Sequence, residues 1–168
     1  MKRGLSLIET MIYIAILLAV LLLFVKLVTS ISQSYLTIGV TRRLDAVAGI
    51  SMDRMTREIR SASDVDVDSI FGVSPGRLVL KKVNSLGVIT RVGFIAPDSH
   101  LRIIEDGVDS GPLFPLSVTT SSLIFRQIDS GVSKGIKIEM ALRSDGGGVT
   151  RTQNYYSTII LRGTYLND

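Results

Sequence analysis

Hydrophobic and polar positions divide the chain into three stretches. From Leu5 to Val25 there are 21 residues, and Glu9 is the single charge among them. As a helix this stretch extends roughly 31 Å, close to the thickness of the hydrocarbon core of a bilayer. From Leu36 onward the apolar residues Leu36, Val40, Leu44, Val47, Ile50, Met55, Ile59 and Ala62 recur at spacings of three to five. That spacing predicts one stripe of an amphipathic helix, with charged residues over much of its remaining surface. No proline precedes Pro75, so a single helix from Leu5 to about Arg60, roughly 84 Å long, is expected.

Beyond Ser61-Ala62-Ser63-Asp64 the pattern changes to short strands. The expected strands are 77–83, 88–95, 100–105, 122–129, 135–143 and 156–163, with turn residues between them. Asn84-Ser85-Leu86-Gly87 reads as the turn of a hairpin, and Gly146-Gly147-Gly148 as a flexible loop. The fold class that follows is α+β: a long N-terminal helix, membrane-spanning in its first half and amphipathic in its second, packed on one C-terminal antiparallel sheet. Four segments are expected: a leader over 1–4, a membrane helix over 5–29, its amphipathic extension over 30–62, and a β-rich head over 63–168.

Composition limits the function. The formal charge of +4 would fall to +2 in a chain beginning at Leu5, with 17 basic against 15 acidic residues, too mild a surplus to signal a nucleic-acid partner. Arg54, Arg57 and Arg60 share a helix face, but Asp53 and Glu58 interrupt it. The absence of cysteine excludes disulfides and thiolate metal sites. His100 is the only histidine, so no histidine-based metal cluster or imidazole pair can form. Without a nucleophile–base motif, nothing indicates a catalytic site, and no cofactor is expected. Asp64, Asp66 and Asp68 alternate, as acids at the start of a calcium loop do, yet Ser69 and Pro75 stand where that loop needs glycine and glutamate. The pattern favours a solvated strand edge over a Ca²⁺ site built with other oxygens.

Lys2 and Arg3 before the apolar run orient a single pass with its N-terminus in the cytoplasm. A cleaved signal peptide would want a small-residue site, of which Val28-Thr29-Ser30 is a poor version. A plain anchor leaves Glu9 unexplained, because an ionised carboxylate in the membrane costs on the order of 2.5–3.5 kcal/mol on insertion scales. Lys2-Arg3-Gly4-Leu5-Ser6-Leu7-Ile8-Glu9 resembles the prepilin motif of type IV pilins and type II secretion pseudopilins: a short basic leader ending in Gly, an apolar residue, and Glu at the fifth place after the cut. Segment 155–163 also resembles the last strand of J-type minor pseudopilins and related minor pilins. The resemblance implies cleavage after Gly4 by a membrane prepilin peptidase, N-methylation of Leu5, and pairing of Glu9 with the terminal amine of a neighbouring subunit. It further implies other pilin or pseudopilin subunits and an inner-membrane assembly platform as partners, and a bilayer address before assembly into a periplasmic or surface fibre. The hydrophobic run lacks a kinking proline and the chain lacks a cysteine pair, which favours a minor subunit. A membrane-anchored extracytoplasmic binding module is the alternative.

Overall fold

The computed structural model describes residues 7–83, 87–131 and 133–162. It contains one helix, α1 (Leu7–Ser61), followed by strands β1 (Asp64–Val65), β2 (Leu78–Val83), β3 (Ile89–Ile95), β4 (Arg102–Glu105), β5 (Val108–Pro112), β6 (Val118–Asp129), β7 (Lys134–Gly146) and β8 (Val149–Ile160). The class is α+β, as the sequence pattern leads one to expect. The chain divides into two compact units, Met1–Gly39 and Val40–Asp168.

Within the second unit the helix lays Val40, Leu44, Val47, Ala48, Met55 and Ile59 into the core. The buried path departs from the expected stripe at two places. Ile50 is 62% exposed and Leu36 43% exposed, whereas Ser51 is fully buried. The step from Ile50 to Met55 spans five residues, more than a helical turn, and the covered face runs through Ala48 and Ser51 instead. The Ser51 hydroxyl is buried without a hydrogen-bond partner among the described residues.

The strands form two sheets where the sequence reading expected one. β1 to β5 make a five-stranded antiparallel meander, and β6 to β8 a separate three-stranded one. The reason lies at the outer edge of β6, which is already occupied. Gly72 and Gly76 donate their amides to the Phe125 and Leu123 carbonyls at 2.9 and 2.7 Å, and the Thr120 amide donates to the Ser99 carbonyl. A Cβ on Gly76 would stand 3.1 Å from two backbone oxygens, so a side chain there would crowd this approach. One apolar cluster joins the helix to both sheets: Leu78, Leu80, Val92, Phe94 and Ile103 from the first, and Leu123, Phe125, Ile136, Ile138, Met140, Leu142 and Ile159 from the second.

Two of the turns differ from expectation. Asp106 and Gly107, with φ of 49° and 85°, form a two-residue turn that returns the chain from β4 into β5, a strand the hydrophobic pattern did not reveal. Gly147 and Gly148, with φ of 59° and 79°, likewise join β7 to β8 in place of a flexible loop. Positive φ at both central residues is the geometry whose twist matches that of the flanking strands. The expected turn at 84–86 lies outside the described residues, while β2 and β3 pair as that hairpin requires, from Val83 against Ile89 to Leu78 against Phe94.

Candidate functional site

Two sets of residues concentrate the unusual chemistry. The first is the apolar part of α1. A window of 18 residues there has mean hydropathy 2.9, and none of it is buried, which is long and apolar enough to cross a membrane once. Its side chains are open on every side: Leu7 is 78%, Leu17 67%, Leu21 55% and Phe24 64% exposed. A helix apolar all round needs an apolar surrounding. Two hydroxyls within it, and two just beyond it, are satisfied by carbonyls of the helix itself. Thr10 donates its hydroxyl to the Leu7 carbonyl at 2.8 Å, Thr29 to Val25 at 3.0 Å, Ser34 to Ser30 at 3.0 Å and Thr37 to Gln33 at 2.9 Å. Bonds of this kind let hydroxyls enter lipid without outside partners.

Glu9 has no such escape. It sits in the first turn of α1, exposed, with no ion-pair partner among the described residues. Gly4 and Leu5, the residues expected to flank the processing site, lie outside the described residues. A carboxylate in the first turn is favoured by the helix dipole, which contributes some tenths of a kcal/mol up to about 1 kcal/mol. That is less than the cost of placing the charge in hydrocarbon. A cation beside the carboxylate would offset that cost.

The second set is ionic and ties the head together. Asp64, Asp66 and Asp68 do not all gather at one point: Asp66 and Asp68 share Arg91, while Asp64 turns to a different cation. Asp64 meets Lys134 of β7 at 2.7 Å, joining the two sheets. Asp66, far from being a solvated edge residue, is 2% exposed and faces Arg91 at 3.2 Å and Lys81 at 3.7 Å. Asp68 reaches Arg91 at 3.4 Å and gives its amide to the Asp66 carboxylate at 3.1 Å. Each acid thus has a cationic side chain as its partner, and among the described residues no group of three histidines, cysteines or acids is placed to hold a metal ion. The amide of Asp68 first, then Arg91 and Lys81, hold the Asp66 carboxyl below its ordinary value. Lys134 does the same for Asp64.

On the other side of the head, Glu58 of α1 is buried between Arg54, at 3.1 Å, and Lys82 of β2. Arg54 continues to Glu105 of β4 at 3.0 Å. Arg57 pairs with Asp53 at 3.0 Å, so two of the three arginines on that helix face, Arg54 and Arg57, are engaged within the head. Tyr155 of β8 donates its hydroxyl to Asp45 of α1 at 2.8 Å; burial, with the bond to Asp45, pushes its ionisation well above the usual tyrosine range. His100 touches the Asp98 carbonyl at 2.7 Å within its own turn. Sequence reasoning missed the buried roles of Glu58 and Asp66, since nothing in a string of letters marks which charged residue faces inward. No protein-family model, curated protein or solved structure matches the chain.

Proposed function

We propose that the protein is a structural minor subunit of a type IV pilus or type II secretion-like pseudopilus, matured by cleavage after Gly4 and N-methylation of Leu5. In this reading it is not an enzyme. It waits in the inner membrane as a single pass with its head outside the cytoplasm, then leaves the bilayer for a helical fibre whose core is built from the apolar helices. Its partners are a prepilin peptidase, other pilin or pseudopilin subunits and an inner-membrane assembly platform.

The observation that carries the reading is Glu9, the one charge in an apolar helix with no cover of its own. A chain beginning at Leu5 places a cationic amine four residues before Glu9, on the same helix face. Every subunit then carries both halves of an intermolecular ion pair, and an acid without an ion-pair partner among the described residues becomes a register mark between neighbours. The uncovered apolar surface fits a segment that exchanges lipid for other helices, while the α+β head is compatible with a pilin-like architecture.

Mass spectrometry of the protein purified from membranes tests this directly: an N-terminus at methylated Leu5 is expected. An intact Met1, or a cut near Ser30, would sink the proposal and leave a membrane-anchored binding module in its place. Glu9→Ala should insert normally into the membrane yet fail to enter sheared fibres. Equal recovery of Glu9→Ala and wild type in the fibre fraction contradicts the pairing role.

A further inference from the structure

The free edges of the two sheets are not alike. β1 has two residues. β5 is short and ends in Gly111, with φ of 96°, and Pro112. The outer edge of β6 is covered by the amides of Gly72 and Gly76. Brevity, proline and cover are the usual ways in which an edge is protected from pairing with another chain. β8 has none of them. It runs for 12 residues from Val149 to Ile160, contains no proline or glycine, carries Arg151 as its one charge, and is rich in threonine, tyrosine and isoleucine.

The register of β8 fixes which of its backbone groups are open. The Leu161 amide donates to the Lys134 carbonyl at 2.9 Å, and the pairing with β7 continues without a bulge from Gly135–Ile160 to Gly146–Val149. In an antiparallel ladder bonded and non-bonded pairs alternate. The odd-numbered residues of β8 therefore bond to β7, and Thr150, Thr152, Asn154, Tyr156, Thr158 and Ile160 turn their N–H and C=O groups outward. None of these six backbones has a partner among the described residues. On the same strand Tyr156 is 65% and Ile160 51% exposed.

We infer that β8 is a docking edge for β8 of a second copy, paired antiparallel about a two-fold axis into a continuous six-stranded sheet. An antiparallel edge is complementary to itself, as a two-fold contact between identical surfaces requires. One register uses every open group. Centred on Tyr155, it sets Thr150 against Ile160, Thr152 against Thr158 and Asn154 against Tyr156, each in both directions. It also places Arg151 opposite Ile159, so the strand's one charge does not meet its twin. The inference needs only the head and does not depend on the fibre reading.

The absence of native cysteine makes the test specific. Full-length protein in detergent micelles is prepared as Thr152→Cys and as Thr158→Cys, alone and mixed, and then oxidised. Opposed residues of a bonded pair stand about 5.5 Å apart at Cα, within disulfide range. Crosslinked dimer is expected in the mixture and not from either variant alone. Asn154→Pro removes an outward amide that β7 does not use, so it should abolish the crosslink when introduced into both cysteine variants while leaving thermal unfolding in place. Monomer at all concentrations by light scattering, equal crosslinking in mixed and single preparations, or a crosslink that survives Asn154→Pro would each overturn the inference.

Discussion

The Asp66 carboxylate is shut away from water, faces Arg91 and Lys81, and accepts the amide of Asp68. Its acidity therefore enters the stability of the head. A carboxyl held below its ordinary value of 3.8 in the folded chain contributes stability that is present above that value and is lost as the pH falls through the folded one. Asp64, Asp109, Glu139 and Asp145 are shifted the same way, by Lys134, the Gly111 amide, Lys137 and Thr150 in turn, so their losses accumulate below about pH 4. Lys134, raised by its bond to Asp64, works at the other end: its contribution is complete below 10.5 and fades as the pH rises through the folded value. Asp66→Asn should weaken the head at neutral pH and flatten the fall of urea-unfolding stability between pH 5 and 3. An acid limb as steep as that of the wild type would show that Asp66 is not coupled to folding. Tyr155→Phe removes the hydroxyl bond to Asp45 and should cost about 1 kcal/mol by the same measurement.

Among the elements, the turns decide how the strands are shared between sheets. Gly148, with φ of 79°, occupies a backbone region that an L side chain enters at a cost of roughly 1–2 kcal/mol. Gly148→Ala should destabilise the head by about that amount in urea unfolding, and Gly148→Asn by less, because asparagine tolerates this conformation better than alanine. Equal losses for the two would place the cause elsewhere than in backbone geometry. These turns also mark where the sequence could be read. The helix was legible from its apolar spacing and its freedom from proline, and β2, β3, β6 and β7 from their apolar runs; β8 was expected over 156–163 but runs over Val149–Ile160, because its first half, from Val149 to Tyr155, is largely polar. β5 was not, because Val108-Asp109-Ser110-Gly111-Pro112 is polar and mostly exposed; Asp106-Gly107, a hairpin signal, was the clue that could have found it. The division into two sheets had no local signal at all. It depends on Gly72 and Gly76 reaching β6 across about 50 residues of sequence, a contact that no periodicity records. Ser51 and Asp66 were hidden for the same reason, since their burial is set by partners distant in the chain.

At the scale of the whole molecule, the chain has two compact units with opposite requirements. The head closes its apolar side chains into one cluster, whereas the apolar run of α1 closes none of its own. Energetic effects at sites that share no partners add independently, so the two units should fail independently. Phe125→Ala removes a fully buried ring and should cost about 3–5 kcal/mol, enough to unfold many small domains. Membrane association should survive it, because the residues that provide it contribute nothing to that core. Conversely, Leu17→Ala with Leu21→Ala strips apolar area from an uncovered helix and should leave the urea midpoint of the head unchanged. Carbonate extraction of membranes, read beside head unfolding for both variants, tests the separation. If Phe125→Ala released the protein from membranes, or the leucine pair shifted the head's midpoint, the two units would be energetically coupled, and the proposed passage of the helix from lipid to a fibre could not occur without disturbing the head.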